Sequence, residues 1–310
     1  MLTGKTFAEV YQKLVGEIFE NGEVVKPRGM ETRELLQETF CVEDPTSNLA
    51  YIPNRMFSIV HAVWESYLLF VKNNEAKVAS MFNKEVRRFS DDGKTLYGSY
   101  GYRIAESIPV VIDKLKMDKD TRQALLTIHK VEDTSARTLD TPCTITLQFT
   151  IRNNKLNMHV YMRSNDIFWG TPYDVYNFTN LQQVIANTLG ISVGKYYHTA
   201  TSLHMYSRDY DKVELVMEQC EPRGYRNPNA YNIWKSEAEM LVAKVQNSDS
   251  VYTGQHNPTL NLLSLQELYE MNEVKAFEED VAKVAKYKYS TFPANSFQDF
   301  TKRFRIRWGF

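Results

Sequence analysis

Two alternating segments joined by a short turn constrain the fold of this chain most strongly. Residues 143–151 (CTITLQFTI) and 155–164 (KLNMHVYMRS) alternate polar and apolar residues, which is typical of strands with one buried face. Asn153 and Asn154 lie between them, and asparagine tolerates the backbone conformation of a tight hairpin turn. The sequence therefore predicts an antiparallel hairpin.

Other periodic segments predict helices around this hairpin. Apolar residues recur at helical spacing over residues 5–20, 54–72, 104–116 and 175–190. The second of these segments is apolar on most sides, which indicates a buried helix. Gly190 is suited to end the last one, because glycine readily adopts the left-handed conformation of a helix C-cap.

The remaining segments are less regular. Strand-like runs occupy residues 124–131 and 196–207, whereas residues 34–52 show no clear period and predict irregular structure. Gly29 is the expected pivot of a positively charged turn in KPRGMETRE. After about residue 212 the pattern is mostly helical, and the whole chain fits one α+β domain with a C-terminal extension.

Composition excludes several classes of protein. The 310 residues include 37 basic and 38 acidic side chains, for a formal net charge of −1, so direct nucleic-acid binding is not expected. No apolar run approaches the roughly 18 residues of a membrane span, and the first residues resemble an amphipathic helix rather than a signal peptide. The three cysteines and six histidines lack disulfide-framework or metal-site spacing. We expect a cytoplasmic protein without a metal.

Cys143 is the candidate nucleophile. A lone cysteine is more often a buried structural residue, and a reactive thiolate needs nearby positive charge to lower its pKa. Arg163, at the end of the second hairpin strand, is such a charge. Both interpretations stay open from these residues alone.

Three further polar residues have two interpretations each. Asp174 follows a Gly-Thr-Pro-Tyr turn and is either an N-cap or first-turn carboxylate of the next helix or a functional group. His204 and Tyr206 are two positions apart on a predicted strand, so their side chains point to one face. Such a pair, taken alone, is more often packed than catalytic.

Taken in order, these pieces resemble the thymidylate synthase superfamily over about residues 5–215. The matching segments are Tyr100-Gly101, Arg122 within Asp120-Thr121-Arg122-Gln123, Pro142-Cys143, Arg163-Ser164-Asn165-Asp166, Gly170-Thr171-Pro172-Tyr173-Asp174 and Leu203-His204-Met205-Tyr206-Ser207. The resemblance implies an α+β fold in which helices flank a mixed β-sheet, and a homodimer in which the sheets of two subunits pack together. It also implies a pyrimidine nucleoside monophosphate as substrate and 5,10-methylenetetrahydrofolate as one-carbon donor.

The resemblance implies a role for each matching residue. Cys143 would add to carbon 6 of the pyrimidine, and Tyr100 would assist proton transfer near carbon 5. The phosphate would be bound by Arg163, Ser164 and Arg28, and by Arg122 from the other subunit of the dimer. The sugar would be bound by His204 and Tyr206, and the base would be read by Asp174. The folate side of the site would be formed by Asp166, Gly170 and Phe82.

Asp174 makes the sequence more similar to phage-type deoxycytidylate hydroxymethylases than to thymidylate synthase itself. It replaces the asparagine that reads the uracil edge, and a carboxylate accepts a hydrogen bond from the amino group of cytosine. The implied reaction is C5 hydroxymethylation of a cytidylate, dCMP or CMP. The alternatives are C5 methylation of cytidylate or uridylate, and a non-catalytic nucleotide-binding homologue.

The sequence departs from the family pattern at three places. Matching Trp64 to a family tryptophan puts His61 where the family has a catalytic glutamate, whereas an ungapped alignment puts Ala62 there. Glu65 lies one helical turn beyond His61 on the same face, so either His61 or Glu65 is a candidate substitute. Gln123 stands in place of the second residue of the family's arginine pair, and Phe82 replaces a tryptophan of the folate pocket. Residues 226–310 do not resemble the family, so we expect a catalytic domain over residues 1–225 and a helical extension packed on it.

Overall fold

The computed structural model describes residues 1–51 and 59–223, together with residues 239, 242, 243 and 246. The helices of this described part are α1 Phe7–Asn21, α2 Ile59–Leu68, α3 Ala76–Ala79, α4 Tyr100–Ile104, α5 Ile108–Met117, α6 Thr171–Leu189 and α7 Val213–Gln219. Its strands are β1 Leu2–Gly4, β2 Glu23–Val25, β3 Thr32–Val42, β4 Leu49–Tyr51, β5 Leu125–Thr127, β6 Thr144–Arg152, β7 Lys155–Met162, β8 Asn165–Asp166, β9 Ser192–Tyr206 and β10 Glu221–Arg223.

One mixed sheet dominates the molecule. Its strand order is β1-β3-β9-β7-β6-β5, with β2 added beside β3 and β8 beside β9. β9 runs parallel to β7 and β8 but antiparallel to β3. The predicted α+β class with a mixed sheet and flanking helices is confirmed, and β4 and β10 form a separate two-stranded sheet.

The predicted hairpin is also confirmed. β6 and β7 pair antiparallel down to Arg152 opposite Lys155. Asn153 and Asn154 both have positive φ values, 53° and 55°, as the tight two-residue turns that match strand twist require.

The prediction of irregular structure for residues 34–52 is wrong over its first part. β3 is an eleven-residue strand that pairs with β9 from Thr32 opposite Tyr206 to Val42 opposite Tyr196. Gln37 has a left-handed backbone, with φ at 56°, but the register with β9 is the same on both sides of it. Burial along β3 does not alternate, because Leu36 and Gln37 are both exposed and Phe40, Cys41 and Val42 are all buried, so the sequence carries no period of two.

Two helices carry most of the core around the sheet. α1 begins after Thr6, whose hydroxyl accepts a hydrogen bond from the Glu9 amide, and buries the apolar face that the spacing predicts. α6 is buried on nearly all sides and ends at Gly190, whose φ is 68°. The predicted start of α6 at residue 175 is wrong, because the helix begins at Thr171 with proline in its first turn.

Other predicted elements differ in length. The strand predicted over residues 124–131 is confined to β5, and the helix predicted over 104–116 is α5, preceded by the short α4. Residues 54–58 of the second predicted helix, and nearly all of the extension from 226 onward, lie outside the described residues. Among those described, Gln246 donates a hydrogen bond to Glu75, but the domain division stays a prediction. In the described part, no helix is long and apolar enough to cross a membrane.

Candidate active site

Arg163 is tied to the backbone and the thiol of the Cys143 segment. Its Nε and Nη2 donate to the carbonyl oxygens of Pro142 and Thr141, both at 2.9 Å. Nη2 also lies 3.6 Å from Cys143 Sγ, and the Arg163 amide donates to the Cys143 carbonyl. The end of β7 therefore carries a cation to the thiol at the start of β6.

The charges around Cys143 act in opposite directions. Burial raises the pKa of the Cys143 thiol, and the guanidinium of Arg163 is the strongest influence that lowers it. Asp174 and Asp140 add to the rise, while Arg28 lowers the pKa. The net shift of the Cys143 pKa is upward, and Arg163 is the largest influence that opposes it.

Tyr100 faces the same thiol. Its hydroxyl accepts hydrogen bonds from the Thr144 amide at 3.2 Å and the Thr144 hydroxyl at 3.0 Å. Burial and the negative charges of Asp174 and Cys143 raise the pKa of Tyr100 well above its usual range, so the phenol keeps its proton. Gly101 permits this placement, since a side chain there would collide with carbonyl oxygens at the end of α2.

Asp174 is close enough to the Cys143 thiol and the Tyr100 phenol for its charge to raise the pKa of both groups. It lies in the first turn, and Gly170 is the N-cap residue. Asn165 Nδ2 donates to Asp174 Oδ2 at 2.8 Å. Burial is the largest influence that raises the pKa of Asp174, followed by the nearby negative charge of Glu65. The hydrogen bond from Asn165 lowers the pKa, and the result is a value of about 7.

His61 and Glu65 form a pair on α2. His61 Nε2 lies 3.3 Å from Glu65 Oε1, and the two side chains are 5% and 34% exposed. Asn177 Nδ2 donates to Glu65 Oε2 at 3.3 Å, and Ser66 Oγ donates to Asn177 Oδ1 at 2.7 Å. Burial raises the pKa of Glu65, but His61 and Asn177 outweigh it, so the net shift is downward. The carboxylate therefore stays ionised and is the more open member of the pair.

The predicted folate-side residues lie on the segment between β8 and α6. Asp166 Oδ1 accepts hydrogen bonds from the amides of Phe168 at 2.8 Å and Trp169 at 3.1 Å. Trp169 Nε1 in turn donates to the buried Asp209 at 3.2 Å. Gly170 caps α6 with its amide bonded to the Asp166 carbonyl.

Phe82 is the outlying member of the folate-side prediction. Its ring packs edge-on against Trp64, with centroids 5.7 Å apart. Trp64 is fully buried and donates from Nε1 to the Val78 carbonyl. Phe82 therefore supports the buried face of α2.

The predicted sugar-binding residues are brought to this segment by the sheet. β8 pairs in parallel with β9, which sets Asp166 opposite His204. His204 and Tyr206 contact each other in an edge-on arrangement, with ring centroids 5.2 Å apart. The Arg208 guanidinium lies 4.3 Å from the centroid of the Tyr206 ring.

The predicted phosphate ligands divide into two groups. Arg163 and Arg28 lie on the Cys143 side, and Arg28 has a left-handed backbone conformation in the turn that ends at Gly29. Ser164 follows Arg163 in the chain. Arg122 is elsewhere in the same chain, because its carbonyl binds the side chain of Gln148, five positions along β6 from Cys143. A strand of that length spans about 16 Å.

Sequence reasoning overlooked the residues that hold the functional groups in place. Asn165, Asn177, Ser66 and Thr144 each hydrogen bond a predicted site residue or its direct partner. One available signal was the position of Asn177, three residues after Asp174 on the same helix. Within the described ranges, no group of three or more potential ligands is arranged to hold a metal ion.

The fold and these residues define a protein that presents a cysteine thiol beside an arginine at one end of a mixed sheet. A family model described as thymidylate synthase matches residues 9–243. The chain therefore belongs to the thymidylate synthase family, as the sequence motifs indicated.

Curated relatives and a solved structure agree with this assignment. The chain is 29% identical over 226 residues to a deoxyuridylate hydroxymethyltransferase of Bacillus phage SP01, covering 67% of this chain and 59% of that protein. It is 28% identical over 168 residues to a deoxyuridylate hydroxymethyltransferase of Pseudomonas phage M6, and the match covers 52% of this chain and 47% of that protein. The chain thus spans between about half and three-fifths of the length of these relatives.

Thermostable thymidylate synthase A from Bacillus subtilis has the same fold, with a TM-score of 0.64 at 19% identity over 74% of this chain and 91% of that one.

Proposed function

We propose that this protein transfers a one-carbon unit to carbon 5 of a cytidylate, dCMP or CMP, and releases the 5-hydroxymethyl nucleotide. The observation that carries the proposal is the convergence of Cys143, Arg163 and Asp174. A thiol, a cation and a base-reading carboxyl are held together by β6, β7 and α6.

Cys143 is the proposed nucleophile. Addition of its thiolate to carbon 6 of the pyrimidine makes carbon 5 electron-rich, which is the condition for forming a bond there. Arg163 and Arg28 carry the positive charge that favours the thiolate, and their guanidinium groups suit a phosphate. Ser164, the next residue, is the proposed source of a hydroxyl for the same phosphate.

Asp174 is the proposed base reader. Cytosine offers an amino donor at position 4 and an acceptor at nitrogen 3. The carboxyl group, with a pKa raised to about 7, can hold a proton for nitrogen 3 while its other oxygen accepts from the amino group. A mismatched base would leave a buried polar group unpaired, which costs about 1–3 kcal/mol.

Proton transfer falls to Tyr100 and to the His61–Glu65 pair. The protonated Tyr100 phenol sits beside the Cys143 segment. Glu65 is ionised and open on one side, so it is suited to hold the water that would add to the bound one-carbon unit.

The residues around Asp166 fit a reduced folate. A half-buried carboxylate, fixed through one oxygen by two amides, is an acceptor for the N–H donors of a pterin ring. Trp169 adds a ring whose orientation is set by Asp209, and Gly170 has no side chain to crowd the Asp166 carbonyl, which a Cβ there would approach to 3.0 Å. 5,10-Methylenetetrahydrofolate, when bound there, supplies a one-carbon unit at the oxidation level of formaldehyde.

Uridylate is the second candidate substrate. Two relatives carry the printed name deoxyuridylate hydroxymethyltransferase. A protonated carboxyl group also matches uracil if its O–H donates to the position-4 oxygen and its other oxygen accepts from the nitrogen-3 proton.

One experiment tests these alternatives together. The purified protein is incubated with dCMP, CMP or dUMP and methylenetetrahydrofolate, and the nucleotide products are identified by mass. We expect a hydroxymethyl product from a cytidylate. A hydroxymethyl product from dUMP alone would replace the substrate assignment, a methyl product would replace the reaction, and no product would favour a non-catalytic nucleotide-binding protein.

A homodimer belongs to the same proposal. The Arg122 backbone lies beside Gln148, about 16 Å along the β6 strand from Cys143, and we infer that its side chain does not serve the Cys143 site of its own chain. In a dimer with sheets packed face to face, Arg122 of one subunit would complete the phosphate site of the other.

A further inference from the structure

The Asp174 carboxyl group is held by the side-chain amide of Asn165, a residue without a role in the proposed chemical steps. Asn165 Nδ2 donates to Asp174 Oδ2 at 2.8 Å. Asn165 is only 2% exposed, so this hydrogen bond is shielded from water. A shielded hydrogen bond to one oxygen of a carboxyl group makes the two oxygens chemically different.

The orientation of the Asn165 amide is itself set by its surroundings. The hydroxyl of Thr171, a fully buried residue, donates to Asn165 Oδ1 at 2.7 Å. This contact turns the Nδ2 end toward Asp174. Gly170 leaves the space for it, since a Cβ there would come within 3.1 Å of Asn165 Nδ2.

A fixed donor on Oδ2 restricts where the Asp174 proton can sit. An oxygen that accepts from Nδ2 acts as the carbonyl-like oxygen, so a proton on the carboxyl group is carried by Oδ1. The acid then presents one defined acceptor and one defined donor. Without that restriction the proton can occupy either oxygen, and the same acid can pair with cytosine or with uracil.

We propose that Asn165 is a specificity-positioning residue, which fixes the donor and acceptor ends of the Asp174 carboxyl group and thereby lets it distinguish cytidylate from uridylate. The inference rests on the proposed function, because it takes Asp174 as the base reader. The burial that raises the pKa of Asp174 to about 7 supports it, since a proton is then available near neutral pH.

The test measures binding of dCMP and dUMP by calorimetry, without folate, to wild type, Asn165→Ala and Thr171→Val. In Asn165→Ala the ratio of the two dissociation constants should move toward one, so that dCMP and dUMP bind more equally. The change should be at least about tenfold, which is the size expected for one altered buried hydrogen bond. Thr171→Val keeps the Asn165 donor but frees its amide, and should shift the ratio in the same direction by a smaller factor.

Asn157→Ala is the matched control. Asn157 is also a strand asparagine with a bonded side chain, since its Oδ1 accepts from the Lys195 amide at 2.8 Å, and its loss should leave the ratio unchanged. Equal weakening of both nucleotides in Asn165→Ala would overturn the inference, because it would show a structural role only. An unchanged ratio in that variant would overturn it as well.

The same data separate this inference from the proposed function. A wild type that prefers dUMP contradicts the cytidylate assignment, yet a move toward equal binding in Asn165→Ala would still support Asn165 as the positioning residue. A wild type that binds neither nucleotide overturns both.

Discussion

Glu65 Oε1 lies 3.3 Å from His61 Nε2, one helical turn away on α2. Side chains on a helix lean toward its N-terminus, so the Glu65 carboxylate reaches back to the level of residue 61. The family resemblance puts His61 or Ala62 at the position of a catalytic glutamate. We propose that the Glu65 carboxylate takes that role from one helical turn further along α2.

Loss of the Glu65 charge should slow turnover strongly. We expect Glu65→Gln to lower kcat by about 10²–10⁴, the usual range for a general acid–base group, with nucleotide binding retained. His61→Gln should have a smaller effect, because it removes the partner and not the carboxylate. Steady-state rates of product formation measure both. A His61→Gln loss larger than that of Glu65→Gln would reverse the two roles.

Cys143→Ser should remove turnover. The alcohol is a far weaker nucleophile at neutral pH, and a loss of about 10³ or more is expected. Binding of the nucleotide should persist, since the phosphate and base contacts lie on other residues. Cys41→Ala and Cys220→Ala are the controls and should stay active. Substantial turnover in Cys143→Ser would place the nucleophile elsewhere.

Asp174→Asn should move the preference from cytidylate toward uridylate. The amide supplies a fixed donor for the position-4 oxygen and an acceptor for the nitrogen-3 proton. The ratio of kcat/KM values for dCMP and dUMP should change by at least about tenfold, or roughly 1.4 kcal/mol. An unchanged ratio would contradict the base-reading role and the substrate assignment with it.

The same carboxyl group predicts a pH dependence of stability. Its pKa is about 7 in the folded chain and about 4 in the unfolded chain. The folded state binds the Asp174 proton more tightly than the unfolded state does. The stabilisation from this proton is therefore complete below about pH 4, is lost as the pH rises, and is gone above about pH 7. The free energy of unfolding changes by at most about 1.4 kcal/mol per pH unit from this group.

Urea unfolding of wild type and Asp174→Asn across this pH range measures the effect. The wild type should lose stability relative to the variant as the pH rises, because the amide does not titrate. A difference in unfolding free energy that is constant with pH would show that Asp174 ionises normally in the folded protein.

Complementation between two inactive variants tests the proposed dimer. Arg122→Ala and Cys143→Ser should each have low activity alone. After subunit exchange, a hybrid dimer contains one site with both an intact Cys143 and an intact Arg122 from its neighbour, so part of the activity should return. Full activity of Arg122→Ala alone would exclude a shared phosphate site.

The sequence by itself determined the elements whose faces are set by local pattern. The β6–β7 hairpin follows from alternation and from two asparagines that accept positive φ, and α1 follows from one apolar face and its Thr6 cap. The order of short motifs was enough to indicate the family, because each motif keeps its chemistry in a few adjacent residues.

Only the tertiary structure decided β3, the start of α6 and the supports of the site. Burial along β3 does not alternate, and its partner β9 is more than 150 residues away. The contacts of Asn165 with Asp174, and of Asn177 with Glu65, join β8, α6 and α2. Such contacts depend on how separate elements pack, and no local periodicity encodes them. The pKa of Asp174 has the same origin, since it follows from burial and from a charge on another helix.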